Sequence, residues 1–321
     1  MDVKFSGSTL WVRCGLTNYH VLRACLDGYQ VETVQSPDGT QDYPDAEPPA
    51  GSVLAKADLR GFMSAKPEKV EHLVTPVSSP SLVRITRRIG ELEAQLRVLD
   101  QQYALNPFPA FFSSRLPLVK EISTCQNIIR SRDNIFGYFV LASGDKDHGN
   151  LDWALISSLA THRVGENRLP GMDVWLEKYD YAYVPWFWAC DGLLGPPVQR
   201  LCDMQPGDLV YKVGWASGAT VGICSGWLGH AGLPTPCPRP PYMGLLISSA
   251  PEKGGPGTFA RSGDSGSAVW DRGGHLVGLL WGAGKVGNTV FAAVIPIEDV
   301  FADILRVSGG KITDIRVRPQ K

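Results

Sequence analysis

Two hydrophobic patterns divide this chain. Over most of its length, short apolar runs containing Val, Ile, Trp, Tyr and Phe alternate with Gly- and Pro-rich turns, which is typical of many short antiparallel strands. Residues 82–103 differ, because apolar residues recur there every three or four positions, as in the heptad seam of a coiled coil. The seam positions are Leu82, Ile85, Ile89, Leu92, Leu96, Leu99 and Tyr103.

A second, shorter helix is predicted to return against this one. Asn106-Pro107-Phe108-Pro109 stops the first helix. Helical spacing then resumes at Val119, Ile122, Gln126 and Ile129. We predict a helical hairpin over residues 80–131 that packs on itself, because the partner helix is present in the same chain. Self-association through residues 82–103 is the alternative.

The sequence Gly263-Asp264-Ser265-Gly266 is the strongest candidate for chemistry. Glycines on both sides permit a tight turn that exposes the serine hydroxyl. The backbone N–H groups of Gly263 and Ser265 could then converge on an oxyanion. Residues 267–270 and 275–282 predict a hairpin directly after this serine. The alternative interpretation is a glycine-rich turn without chemistry.

A nucleophilic serine needs a base and a group that orients the base. His20 follows an early apolar run, and Asp152 opens the apolar segment Leu-Asp-Trp-Ala-Leu-Ile. A carboxylate there could be buried, accept the imidazole N–H and fix its tautomer. We interpret the remaining histidines as structural or solvated: His72, His148, His162, His230 and His275.

The order His20, Asp152, Ser265 is the order of the triad in chymotrypsin. Leu-Trp-Gly-Ala-Gly follows the serine, and residues 210–222 contain a Lys-Val-Gly and Thr-Val-Gly pair. On these short blocks the chain resembles the chymotrypsin-like (trypsin-like) serine peptidase family, and its layout is similar to that of fungal intracellular members. The resemblance implies an all-β fold of two antiparallel six-stranded barrels with a helical-hairpin insertion.

The resemblance also implies two halves. Residues 1–162 would form the N-terminal barrel half with His20 and Asp152, interrupted by the insertion over about 80–131. Residues 163–321 would form the C-terminal half with Ser265 and a short C-terminal helix. Only nineteen residues precede His20, although the family places more strand there. Either the first barrel is open along one edge or the chain begins late.

The activity that the resemblance implies is serine endopeptidase chemistry through an acyl-enzyme, with no cofactor or metal. Asp264 is expected to pair with a group other than a freed N-terminus, because no processing sequence is recognisable. A catalytically silent, peptidase-like binding or scaffold module is the alternative, because a fold by itself does not imply a function.

The substrate pocket is also predicted from the resemblance. Phe259 would lie at the floor of the primary pocket, with Ser262 on one side. The strand Leu280-Trp281-Gly282 would form the opposite wall and pair with a protein or peptide substrate. No carboxylate stands at the floor position, so cleavage after Arg or Lys is disfavoured and a small or aliphatic P1 residue is preferred.

Composition excludes other classes of function. The formal charge is −1 with acids and bases interspersed, so no basic field favours nucleic acid. No segment has the length of a membrane span, and the N-terminus lacks an apolar signal region. The seven dispersed cysteines suit no zinc site and predict reduced thiols in the cytoplasm or nucleus. Secreted members of the family carry a disulfide cysteine directly after the catalytic histidine, and the resemblance places Val21 at that position, which also favours an intracellular protein. A disulfide between Cys14 and Cys25 is disfavoured for the same reason, because reducing compartments oppose it.

Overall fold

The computed structural model describes most of the chain. The described residues are 1–23, 34–35, 41–42, 50, 52–64, 76–78, 82–107, 111–131, 135–144, 151–158, 169–185, 204–228, 244–286 and 289–317. Several positions considered above lie outside them, namely His72, His148, His162, His230, Cys25, Cys190, Cys202 and Cys237.

The second half of the chain forms a closed antiparallel barrel of six strands, in the order β10-β11-β14-β13-β12-β9. Its interior is apolar, because alternate residues of each strand face inward. The predicted hairpin after Ser265 is confirmed as β12 and β13. The strands are β9 (Leu209–Gly214), β10 (Gly218–Leu228), β11 (Gly244–Ser249), β12 (Ala268–Asp271), β13 (Leu276–Val286) and β14 (Thr289–Pro296).

The strands of the first half, together with one strand from the end of the described chain, form an open, curled sheet. Its order is β15-β1-β2-β8-β7-β5, with β6 also paired to β7. The all-β, chymotrypsin-like two-barrel class is therefore confirmed, with the incomplete first barrel that was one of the alternatives. The strands are β1 (Asp2–Phe5), β2 (Trp11–Thr17), β5 (Phe62–Met63), β6 (Pro76–Ser78), β7 (Ile135–Ser143), β8 (Trp153–Ser158) and β15 (Ile312–Arg316); β3 (Val34–Gln35) and β4 (Gln41–Asp42) form a separate pair.

The end of the described chain covers the edge of the first sheet. After β14, helix α6 (Ile297–Val307) buries Ile297, Val300 and Ile304. Strand β15 then pairs antiparallel with β1. The carboxylate of Asp303 in α6 accepts the indole N–H of Trp153 at 2.9 Å. Helix α6 thereby joins the closed barrel to the strand that follows Asp152.

The predicted helical hairpin is present between β6 and β7. It consists of α3 (Leu82–Leu105) and α4 (Phe111–Ser131). The rings of Tyr103 and Phe111 stack at 4.0 Å, and an ion pair between Arg88 and Glu121 at 2.8 Å also joins the two helices. The seam of α3 thus packs within the chain, and self-association through residues 82–103 stays a prediction.

The second helix of the hairpin begins earlier than its apolar spacing predicts. Helix α4 starts at Phe111 and contains Pro117 in its interior. Proline is normally tolerated only in the first turn of a helix, because it removes a backbone hydrogen bond further along. Phe111 is buried and stacked on Tyr103. We infer that this tertiary contact offsets the hydrogen bond that Pro117 removes.

Three further helices are short. They are α1 (Tyr19–Arg23), α2 (Val53–Arg60) and α5 (Met172–Lys178). Helix α2 has a regular N-cap, because the Ser52 hydroxyl accepts the Ala55 N–H at 3.1 Å. Among the described residues, no helix has both the length and the apolar character needed to cross a membrane.

Candidate active site

His20 and Asp152 are brought together by the pairing of β2 with β8. Thr17 at the end of β2 lies opposite Ala154, so the residues after β2 stand beside those that open β8. The His20 backbone N–H donates to Asp152 Oδ1 at 2.8 Å, and His20 Nδ1 forms a short hydrogen bond with Asp152 Oδ2. Asn18 Nδ2 donates to the Asp152 carbonyl at 2.7 Å.

This arrangement fixes the chemistry of the imidazole. An ionised carboxylate only accepts hydrogen bonds, so the proton of neutral His20 is on Nδ1 and Nε2 has a free lone pair. Asp152 is buried, whereas the His20 side chain is 44% exposed. The base is therefore oriented from the protein interior and accessible from solvent.

The turn that carries Ser265 packs directly against the residues before His20. A Cβ added to Gly266 would lie 2.3 Å from Thr17 Oγ1 and 3.2 Å from the Asn18 nitrogen. Gly266 also has a φ of 85°, which side-chain-bearing residues rarely adopt. Glycine after the serine is thus required by two constraints, and it allows the serine turn to approach the histidine segment.

The Ser265 hydroxyl donates to the Trp281 carbonyl at 3.1 Å. Within the described residues it forms no hydrogen bond with His20. Trp281 lies in β13 where the pairing with β14 skips one residue, between Leu280 and Gly282. The structure therefore joins two of the three predicted triad residues and holds the third in a neighbouring turn with its hydroxyl turned to another acceptor.

The residues predicted to form an oxyanion hole, Gly263 and Ser265, lie in a tight turn. Gly263 has a φ of 97°, and the Asp264 N–H donates to the Arg261 carbonyl at 3.0 Å, as in a turn that needs glycine at its third position. In the part of the chain that the structure describes, the N–H groups of Gly263 and Ser265 donate no hydrogen bond. Their assignment as the oxyanion hole stays a prediction.

Asp264 is held by a buried cation. Lys212 Nζ in β9 donates to Asp264 Oδ2 at 3.0 Å, and both side chains have no exposed surface. The Asp264 carboxylate accepts four further hydrogen bonds. The donors are Ser217 Oγ at 2.7 Å and the backbone N–H groups of Ala216 at 2.8 Å, Arg261 at 2.9 Å and Ser217 at 3.1 Å. The expectation of a partner other than a freed N-terminus is thus confirmed.

These contacts set the charges of the pair. Burial opposes ionisation of Asp264, but the Ser217 hydroxyl, the Arg261 N–H and the Lys212 ammonium outweigh it and lower the Asp264 pKa to about 2. Burial lowers the pKa of Lys212, and hydrogen bonding to Asp264 acts in the opposite direction. A buried ion pair therefore lies beneath the turn that carries Ser265.

The role of Lys212 was not predicted, although a signal for it exists. Lys212 is the charged residue of the otherwise apolar strand Leu-Val-Tyr-Lys-Val-Gly, and it lies on a buried position. A Cβ at Gly214 would stand 2.2 Å from Asp264 Oδ1. The Lys-Val-Gly sequence therefore supplies both the cation and the space that the carboxylate needs.

The predicted pocket residues differ in exposure. Phe259 is 1% exposed in the apolar interior of the closed barrel, with Lys212 Nζ 5.5 Å from its ring centroid. Leu280 is buried and Ser262 is exposed. Among the described residues, no atom lies within 4 Å of a Cβ placed on Gly282 in β13. Their assignments as substrate-binding residues stay predictions.

Other candidate groups have structural partners. His275 Nδ1 pairs with Asp271 Oδ2 at 2.9 Å in the β12–β13 turn, and its structural interpretation stays a prediction. Cys14 is buried, and burial raises its pKa to about 12, which disfavours a nucleophilic thiolate. Among the described residues, no group of three or more His, Cys, Asp or Glu side chains could hold a metal ion.

Comparison with known proteins gives weak similarities. No protein-family model matches this chain, and no curated protein matches it. One similar solved structure is a glutamic-acid-specific serine protease that uses a histidine triad in substrate binding. It is 14% identical over 54% of this chain and 74% of that chain, with a TM-score of 0.30.

Two more solved structures are similar at this level. A chymotrypsin from Cellulomonas bogoriensis is 16% identical, with coverage of 55% of this chain and 75% of that chain and a TM-score of 0.26. The HtrA-type protease AlgW, solved with a decapeptide, is 14% identical over 50% of this chain and 38% of that chain, with a TM-score of 0.30. The solved structures similar to this chain are thus chymotrypsin-like and HtrA-type serine proteases, and such identities leave the individual site residues unaddressed.

Proposed function

We propose that this chain is a serine endopeptidase that uses His20, Asp152 and Ser265 as a catalytic triad. The observation that carries this proposal is the His20–Asp152 pair beside the Ser265 turn, because it supplies an oriented base next to a hydroxyl. The N–H groups of Gly263 and Ser265, which donate no hydrogen bond among the described residues, would add an anion site on the same turn.

The proposed reaction begins with a rotation of the Ser265 side chain. In the proposed step the hydroxyl leaves the Trp281 carbonyl and turns to donate to His20 Nε2. As Ser265 Oγ attacks the peptide carbonyl, its proton passes to Nε2, and the carbonyl electron pair moves onto the oxygen. Asp152 stabilises the imidazolium that forms.

Collapse of the tetrahedral intermediate completes acylation. The oxygen re-forms the carbonyl, the C–N bond breaks, and His20 gives its proton to the leaving amine. Water then repeats the sequence in reverse and releases the acid. Each N–H group of the oxyanion site would contribute about 3 kcal/mol of transition-state stabilisation. The charged Lys212–Asp264 pair beneath the turn would keep these two groups in place.

The proposed primary specificity excludes basic residues. The carboxylate in the nucleophile turn, Asp264, is already paired with Lys212 and has no exposed surface. Phe259 brings no charge to the position predicted for the pocket floor. We therefore expect a peptide library to be cut after small or aliphatic residues, and predominant cleavage after Arg or Lys would contradict this specificity.

One observation favours a second candidate, a catalytically silent peptidase-like binding module. The Ser265 hydroxyl hydrogen-bonds to a main-chain carbonyl rather than to His20. If that rotamer were permanent, the serine would have no base and the fold would offer a peptide-binding surface without turnover.

A covalent probe separates the two functions. A fluorophosphonate reacts with a serine only when a base activates it, so the wild-type protein is expected to carry the probe on Ser265, as located by mass spectrometry of peptides. Ser265→Ala should abolish labelling, and Ser225→Ala, at an exposed serine of β10 that has no role in the proposed site, should retain it. An unlabelled, folded wild type, or equal labelling of wild type and Ser265→Ala, would contradict the proposed function.

A further inference from the structure

The helix that carries His20 is fastened to a second carboxylate, Asp58. The hydroxyl of Tyr19 donates to Asp58 Oδ1 at 2.6 Å. Arg23 donates to the same carboxylate through Nη2 at 2.9 Å to Oδ2 and through Nε at 3.2 Å to Oδ1. Because Tyr19 and Arg23 stand on either side of His20 in α1, the three contacts hold both ends of this helix.

Asp58 lies in a buried and closely packed part of the first half of the chain. It lies in α2, where its residue is 9% exposed, and Tyr19 is 3% exposed. Helix α2 is joined to the end of β7 by the Gly144 N–H, which donates to the Ala57 carbonyl at 3.1 Å. A Cβ on Gly144 would come within 2.5 Å of the Tyr19 ring, so the ring is closely packed against β7 as well.

Helix α1 needs this external support because of its length. Five residues form little more than one turn, and such a helix is unstable by itself in water. Asp152 holds α1 on one side through the His20 backbone and ring. Asp58 holds it through Tyr19 and Arg23 at its two ends. The direction of the imidazole therefore depends on two carboxylates.

We propose that Asp58 is a positioning residue for the base, acting through Tyr19 and Arg23 to keep α1 seated against Asp152. This inference rests on the proposed function. Asp58 lies in α2, a helix between β4 and β5 in the segment that connects His20 to Asp152. A segment outside the barrel pattern thus takes part in the site by fixing the orientation of His20.

Substitutions at Asp58 and Tyr19 test this role. In Asp58→Asn the carboxylate charge that holds Arg23 is lost, and the second-order rate of fluorophosphonate labelling is expected to fall about tenfold, as small displacements of a catalytic group do. In Tyr19→Phe only the hydroxyl is removed, and a fall of about threefold is expected. In the double variant Asp58→Asn/Tyr19→Phe the labelling rate should fall by no more than about tenfold, because both changes disrupt the same hydrogen-bond network.

The matched control is Asp2→Asn. Asp2 is also a buried carboxylate of the first sheet with two arginine partners, Arg13 at 3.5 Å and Arg316 at 3.3 Å, and it has no contact with α1 among the contacts described. Its substitution should lower the melting temperature as Asp58→Asn does and leave the labelling rate unchanged. Equal loss of rate in Asp2→Asn would show a general effect of instability and overturn the inference.

A readout without turnover separates this inference from the proposed function. Proton NMR of the His20 ring in the same variants reports its hydrogen bond to Asp152. When α1 is loosened, the signal of the Nδ1 proton shared with Asp152 should broaden or move upfield in Asp58→Asn and Tyr19→Phe and stay unchanged in Asp2→Asn. Where Asp58→Asn does not fold, Tyr19→Phe alone carries the test.

The outcomes are distinct. A wild type that does not label, combined with a changed His20 Nδ1 proton signal in both variants, would contradict the proposed function and support the positioning role. A wild type that labels, with variants that match it in both labelling rate and Nδ1 proton signal, would leave the peptidase intact and overturn the role of Asp58.

Discussion

Replacing Asp152 by asparagine is expected to lower kcat for peptide hydrolysis about ten-thousandfold without unfolding the protein. The His20 backbone N–H occupies Oδ1 of residue 152, and asparagine can keep that bond with its amide oxygen. The amide NH2 then faces His20 Nδ1, which must accept. The ring proton moves to Nε2, so the nitrogen that should take the serine proton already carries one.

The chain contains a matched control for this substitution. In the β12–β13 turn, Asp271 accepts the His275 backbone N–H at 2.8 Å and pairs with its Nδ1, so the same His–Asp geometry occurs away from Ser265. Asp271→Asn should leave kcat unchanged. Nitrogen-15 NMR of the two histidines should show the tautomer change at His20 only in Asp152→Asn. A variant at residue 152 that keeps more than about a tenth of kcat would contradict the orienting role of this carboxylate.

Lys212→Met is expected to lower the free energy of unfolding by about 3–5 kcal/mol. Methionine fills a similar volume but leaves Asp264 as a buried charge without its cation. Because Asp264 fixes the turn between Gly263 and Ser265, the fluorophosphonate labelling rate should fall as well. Urea denaturation followed by fluorescence measures the stability, and labelling below the unfolding transition measures the site.

Two variants test whether the buried pair is the cause. Lys178→Met removes a half-buried lysine that donates to the Ser217 and Ala219 carbonyls of the neighbouring turn at 3.5 and 3.4 Å, and it should cost about 1 kcal/mol or less. Adding Asp264→Asn to Lys212→Met should restore part of the stability, because the unpaired charge disappears. Equal losses in Lys178→Met and Lys212→Met would contradict the assignment.

The free energy of unfolding of the wild type should also depend on pH, because Asp264 becomes protonated in acid. Its folded pKa of about 2 lies below its ordinary value of 3.8, so ionised Asp264 stabilises the folded state above pH 3.8. About 2 kcal/mol of this contribution should be lost as the pH falls from 3.8 through 2. The double variant Lys212→Met/Asp264→Asn lacks the group, and its stability should show a correspondingly smaller change in urea denaturation across this range.

The parts of the fold that depend on local pattern could be predicted from the sequence. The hairpin after Ser265 follows from two apolar runs around Asp271-Arg272-Gly273-Gly274, and α3 follows from its apolar spacing. The strand β15 could not be found in the same way. Its pairing with β1 joins the two ends of the described chain, and the short segment carries no local signal for its distant partner.

The candidate site shows the same division. Ser265 and its glycines are recognisable because the chemistry demands a tight turn, and His20 and Asp152 follow from the need for an oriented base. Asp58 was not predicted, since its role arises from contacts between α1 and α2 that sequence spacing does not encode. The bond from Ser265 to Trp281 likewise depends on a rotamer, which the sequence does not determine.

Active-site titration of the full chain tests the central claim most directly. With 4-nitrophenyl acetate in excess, an acylating serine releases one nitrophenolate per protein chain in a burst before steady hydrolysis. We predict a burst of one equivalent, with the acyl group on Ser265 in peptides analysed after acid quenching. Folded protein that gives no burst, or that carries the acyl group on another residue, would contradict the triad.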